Sequence, residues 1–174
     1  SRMIVFVSRT GNVRNIVGKL EAIPTMEITN SSVEINEPYF LMTYTDNLGE
    51  APQIVRDFLN HSEVNRKNLK GVIASGNTNF GSYYCGSAIE ISQWLGVPII
   101  STYSGGIPSL IESGVSGILV PPNDPWRVAV EILDLYSNPT KTKSLGKNAR
   151  QIALERHSDE NINNSIIEIY KTII

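Results

Sequence analysis

Apolar residues along this chain fall in short blocks whose period changes from one block to the next. Residues 3–7, Met-Ile-Val-Phe-Val, are an unbroken apolar run. It is too short for a buried helix and suits a strand covered on both faces. Comparable runs recur at 39–44, 71–74, 97–101 and 117–120, with a weaker one at 25–29. Residues 30–38 are polar and read as a connection. Between the runs, helical stretches are expected at 13–20, 52–59, 83–95, 107–112 and 124–136. Two more helices, 141–156 and 160–173, close the chain. In the last one Ile162, Ile166, Ile169, Tyr170 and Ile173 recur at helical spacing and make a docking face.

The punctuation agrees with this division. Pro52 suits a first helical turn, Gly96 and Ser113-Gly114 are stops, and Pro121-Pro122 closes a strand. Asp124 followed by Pro125 is an N-cap with proline at the first helical position. Asn138-Pro139 breaks the helix that follows. Strands alternating with helices predict an α/β fold of three layers, a doubly wound parallel sheet between helices. Ligands of such sheets bind beyond the carboxyl ends of the strands, where strand order reverses. The segments just after each strand are therefore where chemistry is expected.

The 174 residues suffice for one well-cored domain, and one domain spanning 1–174 is expected. A formal net charge of −2 offers no basic footprint, which argues against a nucleic-acid partner. No apolar run approaches the ~20 residues of a membrane span, so no membrane partner is expected. Ser1-Arg2-Met3 reads as an expression remnant before a starting methionine. The single cysteine, Cys85, excludes an internal disulfide and fits the cytoplasm, and a small packed side chain in a helix is its expected role. His61 and His157 lack a second ligand at zinc spacing, so no metal site is expected. Trp94, Trp126 and the isoleucine stripe are expected in the core. No Ser-His-Asp order, Gly-x-Ser-x-Gly elbow or P-loop spacing appears, so catalytic residues are expected to be none.

Three segments following strands share one chemistry. The first is Ser8-Arg9-Thr10-Gly11-Asn12, the second runs from Tyr44 to Glu50, and the third from Ser75 to Gly81. All are rich in glycine, amides and hydroxyls, and the second and third carry an aromatic. Such segments supply neutral donors for a phosphate, backbone groups for a polar ring edge and flat surface for a ring face. For 8–12 alone, a helix cap at Thr10 or Asn12 is the plainer explanation. A phosphate on the N–H groups of the helix start is the other. Scarce basic side chains suit a mononucleotide better than a polyanion.

The stretches SRTGNVRN, EPYFLMTYTDNLGEAP and LKGVIASGNTNFG, in this order, resemble the flavodoxin fold. More narrowly they resemble the flavodoxin-like NrdI activator of class Ib ribonucleotide reductase, over about residues 3–101. The resemblance implies strand order 2-1-3-4-5 and FMN as cofactor. It implies Ser8, Thr10, Gly11, Asn12 and Val13 around the FMN phosphate. It implies Tyr44, Thr45, Asn47, Leu48 and Gly49 on one side of the isoalloxazine ring. Ser75, Gly76, Asn77, Asn79, Phe80 and Gly81 are implied on the other. Leu48 stands where that family commonly has an aromatic, and Asp46 is an unusual acid there.

From about Gly96 the chain resembles another family. GVPIISTYSGGIPSLIESGVSGILVPPNDP and LGKNARQIALERHSDENI are similar to the carboxyl-terminal end of retaining GT-B glycosyltransferases, which use nucleotide-sugar donors. That family's donor site has two glutamates eight positions apart, the second five residues before the Gly of Gly-Val-Pro. Ile91 holds that second position here, Glu90 is one step out of register, and Ser109 stands where glutamate is frequent. The acceptor domain has no counterpart. The resemblances overlap around Gly96-Val97-Pro98, which points to an engineered chimera of two doubly wound folds. The second piece would complete the fifth strand and add 117–120 as a sixth.

Three functions are compatible with these residues. The chain is a chimeric flavodoxin-like protein binding FMN as a one- or two-electron redox module, or a designed fold with no ligand. The third alternative is an inactive nucleotide-sugar-binding glycosyltransferase fragment. In the first, the partner is a small-molecule flavin, and binding of the native reductase is not expected to survive without the activator's own tail.

Overall fold

The apolar runs become strands of one sheet. In a computed structural model they form β1 (Met3–Phe6), β2 (Thr25–Glu27), β3 (Tyr39–Met42), β4 (Leu69–Ala74), β5 (Ile99–Thr102) and β6 (Ile118–Val120). Among the described residues the helices are α1 (Gln53–Asn60), α2 (Glu63–Asn68), α3 (Gly86–Leu95), α4 (Pro125–Ser137) and α5 (Pro139–Glu160). The structure describes residues 3–7, 18, 23–43, 51–74, 86–102, 114–121 and 124–160. The helix expected at 107–112, Cys85 and the stripe of 162–173 lie outside them.

All strand pairs are parallel, and the order is β2-β1-β3-β4-β5-β6. This is the expected order 2-1-3-4-5 extended by a sixth strand. Both faces are covered, which is why the strands read as unbroken apolar runs. Val5, Leu41, Val72 and Ile99 pack on one face with Val55 and Phe58 of α1 and Ile91 and Trp94 of α3. Ile4, Phe40, Ile73 and Ile100 pack on the other with Val128, Ile132 and Leu135 of α4. A register shift where Tyr39 pairs Leu69 but Phe40 pairs Gly71 passes over Lys70, so Leu69 and Val72 share a face.

The caps behave as their chemistry demands. The Asp124 side chain accepts the Arg127 N–H (3.0 Å), with Pro125 in the first turn of α4. α5 begins at Pro139, directly after the Asn138 break, two residues earlier than expected.

α2 has no counterpart among the expected elements. Glu-Val-Asn-Arg-Lys-Asn has no apolar stripe; only the cap at Ser62, whose side chain accepts the Asn65 N–H, marks it. Its structural weight rests on Asn65, which is fully buried. The Asn65 Oδ1 accepts the Ile35 N–H (2.7 Å), and Nδ2 donates to the carbonyls of Val33 (2.8 Å) and Phe58 (3.0 Å). One amide thus replaces the water that 33–35 would otherwise need. Tyr39 donates its hydroxyl to the Asn65 carbonyl, and burial pushes its phenol above the ordinary value.

The expectation for the tryptophans divides. Trp94 is buried, but Trp126 is 75% exposed and not part of the core. Its position on α4 explains this. Val128, Ala129, Ile132 and Leu135 face the sheet, while Trp126 and Val130, four residues apart, share another face.

One contact ties the amino-terminal strands to α4, and another locks α3 against α5. The Tyr136 hydroxyl, at the end of α4, donates to the Pro38 carbonyl (3.0 Å), accepts the Met3 N–H (3.3 Å), and its ring lies 5.1 Å from that of Phe40. The second contact crosses the end of α3. Gly96, with φ +65°, ends that helix against Gly146 of α5, where the two backbones touch.

Candidate functional site

Strand order reverses beside β1: the chain passes from β1 to β2 on one side and then to β3 on the other. The carboxyl ends of β1, β3 and β4 are therefore immediate neighbours. Phe6 pairs with Met42 and Met42 with Ile73, and the Val7 N–H donates to the Met42 carbonyl (3.1 Å) just past the pairing. The three segments singled out in the sequence depart from these three strand ends. Their residues are Ser8, Thr10, Gly11, Asn12 and Val13; Tyr44, Thr45, Asn47, Leu48 and Gly49; and Ser75, Gly76, Asn77, Asn79, Phe80 and Gly81. All of them lie outside the described residues. The described frame brings together the points where they leave the sheet.

The frame also fixes where the second segment ends. Ala51 is buried. Its N–H donates to Glu90 Oε2 of α3 (2.9 Å), and its carbonyl accepts the Arg56 Nε–H of α1 (3.0 Å). Arg56 closes the triangle on Glu90 Oε1 at 3.1 Å. Sequence reasoning overlooked this cluster. Arg56 and Glu90 are 34 residues apart and meet only because α1 and α3 share one face of the sheet.

The positions that matter to sugar transfer have other roles. Ile91 is buried among Val72, Trp94 and Ile99, and Glu90 is engaged with Ala51 and Arg56. Ser109 lies outside the described residues. No group of acids, histidines or cysteines that could hold a metal ion occurs among the described residues. No described helix is long and apolar enough to cross a membrane.

A parallel sheet in this order, reversing beside β1, defines a flavodoxin-like α/β protein. Residues 4–107 match the family model described as NrdI flavodoxin-like. The chain belongs to that family. Residues 88–152 also match the model for glycosyl transferases group 1. The two matches overlap over α3 and β5, more widely than the Gly96–Pro98 entry where the sequence resemblances meet.

Similar folds occur among solved glycosyltransferases. One from Rickettsia africae is 17% identical with a TM-score of 0.55, over 99% of this chain and 48% of its own. HepE of Anabaena, solved with UDP, is 17% identical with a TM-score of 0.52, over 98% of this chain and 47% of its own. TarM of S. aureus is 16% identical with a TM-score of 0.54, over 98% of this chain and 34% of its own. At these identities the likeness is one of fold. The chain spans about half the length of the first two proteins and about a third of the last.

Proposed function

We propose that this protein binds FMN beyond the carboxyl ends of β1, β3 and β4 and serves as a one- or two-electron redox module. The observation that carries the reading is the adjacency of those three strand ends, from which the three donor-rich segments depart. Membership of the NrdI family supports it. The donor set fits the cofactor. Ser8, Thr10 and Asn12 offer short side-chain donors, and Gly11 adds backbone without a side chain, as a phosphate at a helix start requires. Tyr44, Thr45, Asn47, Leu48 and Gly49 would flank one side of the ring, and Ser75 to Gly81 the other. Bound FMN would supply the electron-accepting chemistry; the chain would bind and orient it. Addition of FMN to the apo protein should quench flavin fluorescence with one-to-one stoichiometry, and unquenched FMN would sink the proposal.

In the same reading the chain is one domain over 1–174, an engineered chimera whose glycosyltransferase-like part completes the sheet. The overlap of the two family matches on α3 and β5 supports this. So does the pairing of β6 on β5 in the same sheet as β1 to β4. Nucleotide-sugar transfer is not proposed. Ile91 has no group for a ribose hydroxyl, and Glu90 is already engaged.

A further inference from the structure

We infer that Glu90 and Arg56 are positioning residues for the second ring segment, 44–50. The inference rests on the FMN reading for its purpose but on the described residues for its geometry. Residues 44–50 run between Thr43, at the end of β3, and Ala51, ahead of α1. Pairing with β4 places the Thr43 end, because Met42 is in register with Ile73. At the other end Ala51 is held through both of its backbone groups. Glu90 takes the N–H and Arg56 takes the carbonyl, while Glu90 and Arg56 also bind each other.

The chemistry of this triangle is more demanding than a surface ion pair. The Arg56 and Glu90 side chains are 27% and 19% exposed, so solvent screens them only in part. Each makes a charge-assisted hydrogen bond to the backbone as well as the ion pair. Neither partner can leave without stripping Ala51 of a bond. Glu90 extends from α3, which packs on the sheet through Ile91 and Trp94, so the Ala51 anchor is referred to the core. Fixing the Ala51 end removes part of the freedom that a site built on 44–50 would otherwise give up on binding.

The test compares Glu90→Gln and Glu90→Ala with the parent, and with Glu63→Ala as control. Glu63 pairs with Lys67 on the exposed side of α2 and has no part in the triangle. Amide hydrogen exchange of the apo proteins reads residues 44–51. Both Glu90 variants should exchange faster there than the parent, the alanine variant more so, and the control should not. Equal exchange in all four proteins overturns the inference whatever FMN does. FMN titration follows, with visible circular dichroism of the bound flavin as a signature that a general loss of stability would not alter. Binding weaker by about tenfold in Glu90→Ala, with an altered flavin spectrum, is expected. Faster exchange with unchanged affinity and spectrum overturns the positioning role. A parent that binds no FMN sinks the proposed function instead, and the exchange result alone then decides whether the clamp exists.

Discussion

A methyl group on Gly146 would lie 2.0 Å from the carbonyl oxygen of Gly96. At this point α5 crosses the end of α3 backbone against backbone, with no space for a side chain. Gly146 falls within the stretch that matches the glycosyl transferase model alone, whereas Gly96 lies where the two family matches overlap.

Gly146→Ala sets two effects against each other. Alanine favours a helix interior over glycine by ~1 kcal/mol. Overpacking against a neighbour that cannot yield costs ~1–3 kcal/mol, and here the nearest atoms are backbone. The clash should win, lowering stability by up to about 2 kcal/mol in urea unfolding. A gain in stability would mean that the two backbones do not touch.

Asn65→Ala should cost about 3 kcal/mol. It strands the Ile35 N–H and the Val33 and Phe58 carbonyls, and alanine cannot replace any of these bonds. Thermal unfolding of parent and variant is the check. A loss within ~0.5 kcal/mol, the range of ordinary surface changes, would show that water reaches the 33–35 connection.

Asp134 and Lys141 bridge the break between α4 and α5 at 2.6 Å. The Lys141 hydrogen bond is the main influence on the Asp134 carboxyl and holds it below its usual range; burial opposes this, and the Lys141 charge and the Asn138 amide assist. A carboxyl depressed by folding stabilises above its unfolded pKa of about 4 and loses that contribution as pH falls through the folded value. Both side chains are more than a third exposed, so the pair belongs with screened surface pairs worth ~0.2–1 kcal/mol. Asp134→Asn should therefore be slightly less stable than the parent at pH 7, and the difference should vanish in strong acid and shrink in high salt. A deficit that persists below the folded pKa would assign the effect to something other than charge.

Thr10→Glu tests the phosphate end of the proposed site. A carboxylate there would compete for the same N–H groups and repel the phosphate, while an acid near a helix start is tolerated by the fold. The variant should keep its far-ultraviolet circular dichroism and melting temperature yet lose FMN in the quenching titration. Parent-like affinity would place the phosphate elsewhere.

The sheet was legible because a strand covered on both faces has no polar positions to confuse its pattern, as in the run from Tyr39 to Met42. The same logic hides α2. Its burial rests on Asn65, a residue that composition assigns to the surface, and its partners lie about thirty positions earlier in the chain. Trp126 misleads for the opposite reason. Its size argues for the core, but its place in the turn of α4 puts it off the face that carries Val128 and Ile132. Of the candidate site, the donor-rich segments were visible as composition, and the adjacency of their strand ends follows from topology. The Glu90–Arg56 triangle depends on the packing of two helices, which no linear spacing encodes.

The unequal burial of Trp94 and Trp126 equips the molecule with two optical reporters of opposite character. Trp94 is 5% exposed and shares its apolar cluster with Ala153 of α5, whereas Trp126 stands in solvent. Emission from Trp94 should be blue-shifted and shielded from acrylamide; emission from Trp126 should be red-shifted and readily quenched. With Trp126→Phe, the intrinsic fluorescence becomes a gauge of one place alone, where α3 and α5 seal the sheet. Loosening of that seal could then be followed in real time without any attached dye.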